Sequence, residues 1–129
     1  MKIRIPIKLS SVKFLIYKNL ENIMNNGIYF LSFKSQDKDF GTGLLIVDND
    51  KIYGGDSFYS YKGTLESNIL IINLFKHTAT SHLFFGSHDK IKLNLICHSE
   101  LGGYLLTGNV ENLQTVQLVV HAKFIGQLP

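Results

Sequence analysis

Cysteine is nearly absent from this 129-residue chain, and the lone Cys97 leaves no intrachain disulfide to form. With neither a CxxC pair nor a Cys/His ligand spacing, a zinc module and a thioredoxin-like site are both excluded. One unpaired thiol suits a reducing compartment, so a cytoplasmic location is the expectation. No apolar run approaches the ~18 residues that a membrane span requires. Alanine occurs only twice, at Ala79 and Ala122, whereas Ile, Val, Thr, Tyr and Phe together supply 41 residues. That is the vocabulary of β-sheet. A chain of this length holds one ordinary domain and buries roughly two-thirds of its unfolded surface without a disulfide or metal staple.

Charge is unevenly spread. Residues 1–23 carry Lys2, Arg4, Lys8, Lys13 and Lys18 against Glu21 alone, a balance of +4 within a chain of net charge +3. The remaining residues hold eight Lys against nine Asp or Glu, and no arginine follows Arg4. The body therefore lacks the clustered cations with interleaved aromatics that follow a phosphate backbone, and direct nucleic-acid binding is disfavoured.

The basic segment has two parts. Lys2 to Leu9 alternates apolar and basic residues around Pro6, which works against a central strand. Ser10-Ser11 then precede Val12, Leu15, Ile16, Leu20 and Ile23, a spacing that predicts a short N-terminal helix. Lys13 and Lys18 interrupt what would be the apolar core of a signal peptide. Two readings follow: a basic amphipathic anchor for a membrane surface or acidic partner, or an upstream read-through with translation starting at Met24. The domain division is accordingly 1–23, a basic extension, and 24–129, the folded domain.

From Gly27 onward, short apolar stretches alternate with Gly, Asp, Asn and Ser clusters. Eight strands are predicted, over 28–34, 42–47, 51–55, 58–65, 69–75, 91–98, 104–110 and 116–124. Asp48-Asn49-Asp50 and Gly102-Gly103 supply tight hairpin turns. Ile91, Leu93, Leu95 and Cys97 share one face of the sixth strand, with Lys92, Asn94 and His98 on the other and Ile96 as an outward exception. The eighth strand repeats this, with Val119 as the exception. An all-β, eight-stranded antiparallel up-and-down barrel is the predicted fold, because a meander of this length closes most naturally on itself. Outward Ile96 and Val119, together with the Ile71/Ile72 pair, point to a covered outer face, by a homodimer or a docked helix.

Chemistry is sparse. His77, His82 and His88 crowd one long connection without a carboxylate set in register, so loop histidines are favoured over a metal site. Cys97 and His98 are strand neighbours facing opposite sides and cannot pair. Gly41-Thr42-Gly43 lacks the Gly-Lys-Ser/Thr and helix of a phosphate loop and suits a bent strand. Asp56, after Gly54-Gly55, suits a turn better than catalysis. No paired carboxylates and no Ser/His/Asp set are evident, so neither enzyme activity nor a cofactor is expected. Tyr59 and Tyr61 share a strand face and either offer hydroxyls to a ligand inside the barrel or pack across strands at its rim. Leu83-Phe84-Phe85, in the long connection, either lids the barrel mouth or plugs it.

Asn26-Gly27-Ile28-Tyr29, Gly41-Thr42-Gly43-Leu44-Leu45-Ile46, Ile52-Tyr53-Gly54-Gly55-Asp56, Tyr61-Lys62-Gly63-Thr64-Leu65 and His121-Ala122-Lys123-Phe124-Ile125 occur in this order. In these motifs, over about residues 24–128, the chain resembles the GrlR family, small bacterial negative regulators linked to type III secretion. The resemblance implies a lipocalin-like barrel that forms a homodimer and represses by sequestering a transcriptional activator without touching DNA. It also implies that the turn after the fourth strand, Glu66-Ser67-Asn68, meets the activator, with one carboxylate where the resemblance calls for an acidic run. The alternative is a lipocalin-like carrier or sensor that binds a small apolar ligand, with Tyr59, Tyr61, Leu83, Phe84 and Phe85 around its mouth.

Overall fold

Asn49 and Asp50 both take left-handed backbone conformations, with φ of 50° and 68°. This is the geometry of a two-residue hairpin turn matched to strand twist, and Asn and Asp tolerate it well. The turn joins β2 (Lys38–Asp48) to β3 (Lys51–Gly55) in register from Leu44 opposite Gly55 to Asp48 opposite Lys51. Two-residue turns with a single residue of positive φ join β4 (Tyr59–Glu66) to β5 (Ile69–Lys76) at Ser67, β6 (Lys90–Glu100) to β7 (Gly103–Val110) at Gly102, and β7 to β8 (Leu113–Gly126) at Asn112. β1 (Gly27–Ser35) pairs antiparallel with both β2 and β8, so the sheet closes into a barrel in sequence order. The computed structural model describes residues 23–35, 38–78 and 89–129, and only the backbone of Lys38, Phe40, Gln114, Thr115 and Val116. The predicted N-terminal helix, along with His82, Leu83, Phe84, Phe85 and His88, lies outside the described residues.

Alternation along the strands decides what fills the barrel. β6 reads exposed, buried, exposed over its first eight residues, with Ile91, Leu93, Leu95 and Cys97 inward and Ile96 outward. Leu31, Leu45, Ile52, Leu65, Leu70, Ile72, Leu106, Leu118 and Val120 join them in one apolar core. Each such side chain contributes roughly 1.5–3 kcal/mol by leaving water. Ile72 points in and Ile71 sits half-buried outside, which accounts for that apolar pair on one strand. Gly63 faces inward between Tyr61 and Leu65, and a Cβ there would lie 2.0 Å from the Ile71 carbonyl oxygen. Only glycine allows β4 to approach β5 this closely.

Two strands run longer than their apolar pattern predicts. β2 begins at Lys38, and β8 at Leu113. The reason lies in the partners: Ser35 and Lys34 of β1 pair with Lys38 and Asp39, past the point where β3 ends. Ser35 is itself buried there, its hydroxyl donating to the Gln117 carbonyl at 2.7 Å, so the pairing continues on polar residues that an apolar pattern does not mark.

An up-and-down barrel sends alternate turns to opposite ends. One end gathers the entry segment Ile23–Asn26, the β2–β3, β4–β5 and β6–β7 turns, and the residues after β8. Met24 is buried there against the core. The Tyr104 hydroxyl donates to the Ile23 carbonyl at 3.3 Å and accepts the Asn25 N–H at 3.2 Å, while the Tyr29 hydroxyl donates to the Asn25 carbonyl at 2.6 Å. Two tyrosines thus strap the chain across this end. The opposite end carries the other turns, Asp56 and the connection between β5 and β6, whose ends are drawn together by Lys76 Nζ and Asp89 Oδ1 at 3.0 Å.

Candidate functional site

At the Asp56 end, the carboxylate is fully used by the protein. Asp56 Oδ1 accepts the N–H groups of Phe58 at 2.8 Å and Tyr59 at 2.7 Å, the pattern of an Asx turn. Its Oδ2 accepts the Tyr61 hydroxyl, and its carbonyl oxygen lies 3.0 Å from His77 Nε2. Asp56 therefore shapes the β3–β4 turn, and its second oxygen holds a buried phenol in place. Tyr59 and Tyr61 both point into the barrel and are buried. Tyr61 packs edge-on against Phe33 at 6.3 Å, and its hydroxyl occupies the space over Gly43, where any Cβ would meet it at 2.6 Å. Burial, then the Asp56 hydrogen bond and its charge, push the Tyr61 phenol far above its ordinary value. Burial first, with Asp56 and Asp89 behind it, raises Tyr59 as well.

Tyr61 and the leucines leave little room. The cavity among Leu31, Phe33, Tyr61, Ile72, Leu93 and Val120 measures about 10 Å³. That is the space of about one water, against the 300 Å³ or more of an ordinary ligand pocket.

The strapped end carries the turn Glu66-Ser67-Asn68. Ser67 adopts φ 59°, Leu65 N–H donates to the Asp50 carbonyl at 2.9 Å, and Cys97 N–H donates to the Asn68 carbonyl at 2.7 Å. These bonds fix the turn between the β2–β3 turn and β6. Asp48, Asp50 and Glu100 are exposed at the same end as exposed Glu66, where Lys51 pairs in register with Asp48 and Lys123 with Gly103. Glu100 Oε2 lies 3.0 Å from His121 Nδ1. Four carboxylates from three turns therefore share one end. Sequence reasoning singled out Glu66 and missed the other three, although turn parity in a meander places them together.

The remaining candidates separate. Cys97 is fully buried, and burial pushes its thiol up to about 12. His98 faces outward with Nε2 3.3 Å from Thr107 Oγ1, so the two neighbours do lie on opposite faces. Among the described residues, no group of three or more His, Cys, Asp or Glu is placed to hold a metal ion. No helix among them is long and apolar enough to cross a membrane. No protein-family model matches the chain, and no curated protein matches it.

Proposed function

We propose that this chain is a non-enzymatic negative regulator, resembling the GrlR family, that binds and sequesters a transcriptional activator through the strapped end of its barrel. The observation that supports this is the gathering of Asp48, Asp50, Glu66 and Glu100 at the strand ends and turn of one end of the barrel. Exposed carboxylates on fixed turns attract a basic surface, speed its arrival and favour it over acidic competitors. Glu66 alone is a poor anion source; with its three companions the end regains the acidity that the resemblance calls for. Asp56, whose two oxygens are both occupied by protein donors, fits a structural role, in keeping with a protein that works by contact.

In this proposal, regulation of secretion in the cytoplasm and a homodimer follow from the resemblance. The homodimer has an apolar face available to it: on the outside of β1–β3, Phe30 stands opposite Leu44, and Ile28 and Tyr53 flank Ile46. Phe30, Leu44 and Tyr53 are all exposed. The test is a repression assay in the native cell, with transcripts counted with and without the chain. Replacing Asp50 and Glu66 by lysine is expected to abolish repression while circular dichroism and melting still report a folded barrel. Unchanged repression by the folded double variant would overturn the assignment of this surface.

A further inference from the structure

Asn26-Gly27 is the one Asn-Gly step in the sequence. It ends the entry segment and opens β1, and contacts in the fold fix both of its residues. Asn26 ties the entry segment to the β2–β3 turn: its Oδ1 accepts the Asn49 N–H at 3.0 Å, and its Nδ2 donates to Asn49 Oδ1 at 3.3 Å. Gly27 has φ of 155°, and a Cβ there would lie 2.5 Å from the Phe124 ring, so a side chain is refused. The barrel therefore sets an exposed carboxamide directly before a backbone nitrogen that no side chain shields.

We propose that Asn26 is a site of self-modification. The Gly27 backbone nitrogen attacks the Asn26 carboxamide carbon, and the new C–N bond closes a five-membered succinimide. The old C–N bond breaks and releases ammonia, which takes up the Gly27 proton. Water then opens the ring to aspartate or, at the other carbonyl, to isoaspartate, and no oxidant or reductant takes part. Two features of the site favour the attack. Nucleophile and electrophile are neighbours in one chain, so no second molecule has to be brought in. Negative charge develops on Oδ1 as the nitrogen adds, and the Asn49 N–H already donates to that oxygen.

The product loses the tie. Aspartate at this position has no Nδ2 hydrogens, so an oxygen faces Asn49 Oδ1 where a donor stood, and Asp48 and Asp50 on either side of Asn49 repel the new charge. Isoaspartate also lengthens the main chain by a carbon, next to the segment that Tyr29 and Tyr104 strap. Modification thus releases the entry segment from the β2–β3 turn. It also adds a carboxylate to the end assigned above to the activator; that consequence rests on the activator reading, and the modification itself does not.

Incubation of the full 129-residue chain in oxygen-labelled water at neutral pH, followed by peptide mapping by mass, tests the modification without any activator. Label enters residue 26 only when water opens the ring. Expected is uptake at Asn26 in the folded chain, several-fold above any other asparagine, with isoaspartate there detected by an isoaspartyl methyltransferase. Asn26→Gln keeps both amide groups but needs a six-membered ring, so it should take up no label at this position while still melting as a folded barrel. Asn26→Asp should melt a few degrees below wild type, and an unchanged melting point would overturn the release of the entry segment. No uptake in the folded chain, uptake only after unfolding in urea, uptake spread evenly over the asparagines, or label at this position in Asn26→Gln would each overturn the proposal.

Discussion

Replacing Tyr61 by Phe removes the hydroxyl that donates to Asp56 and leaves the ring where it is. The lost bond joins a buried phenol to a carboxylate, and hydrogen bonds to charged groups contribute about 1.5–3 kcal/mol. Asp56 is only half-buried and water can reach its freed oxygen, so the lower figure applies, about 1.5 kcal/mol at pH 7. For a domain of this size that lowers Tm by roughly 5–10 °C. A second signature is specific to the phenol. Its folded-state pKa lies above the unfolded value, so the neutral form is favoured in the barrel, and the stability it supplies is complete below about pH 10 and is lost as pH climbs towards the folded value. In that window the unfolded chain has released the proton and the folded one has kept it, a slope of about −1.4 kcal/mol per pH unit for each such group. Tyr61→Phe should therefore be less stable at pH 7 yet lose stability less steeply between pH 10 and 11, by that one-proton slope. Urea unfolding followed by circular dichroism at several pH values reads both. Equal stability at pH 7 together with an alkaline slope parallel to wild type would show that the Tyr61 hydroxyl neither stabilises the barrel nor keeps its proton there.

Three further outcomes follow from the packing. Gly63→Ala should destabilise by more than about 3 kcal/mol or prevent folding, because its Cβ would overlap the Ile71 carbonyl, and an expression and melting comparison decides it. Cys97 should resist a thiol reagent at pH 8 in the native state and react fully in urea, since it is wholly buried and its thiol is pushed up to about 12; fast native reaction would contradict its placement. Met24→Ala should cost about 2–5 kcal/mol by leaving a void at the strapped end, measured by urea unfolding, and a change under 0.5 kcal/mol would show that Met24 is not part of the core.

The meander and its closure are legible from the residues because each local signal agrees with the whole. Asp48-Asn49-Asp50 can turn tightly, Ile91 to Cys97 alternate, and eight such strands have one economical way to hide their edges. What escapes pattern reading is set by contacts distant in sequence. β2 extends back to Lys38 because β1 is there to pair with it, which no periodicity within residues 38–43 announces. That Met24 is a core side chain is not readable locally, because it is Tyr29 and Tyr104 that hold the segment around it across the barrel end. Asp56 is readable as a turn residue, whereas its hold on Tyr61 depends on how far the phenol reaches into the barrel. The acidic end is the instructive case: Asp48, Asp50, Glu66 and Glu100 are scattered in sequence, and only the parity of turns unites them.

Native mass spectrometry of the untagged chain, captured gently from its own cells, separates sequestration of an activator from binding of a small ligand. Expected is an added mass equal to a whole second polypeptide, a DNA-binding activator by its sequence, present on wild type and absent from the Asp50→Lys, Glu66→Lys variant. The bare mass of the chain or its dimer, an adduct of only a few hundred daltons, or a polypeptide that the charge-reversed variant retains equally would contradict it.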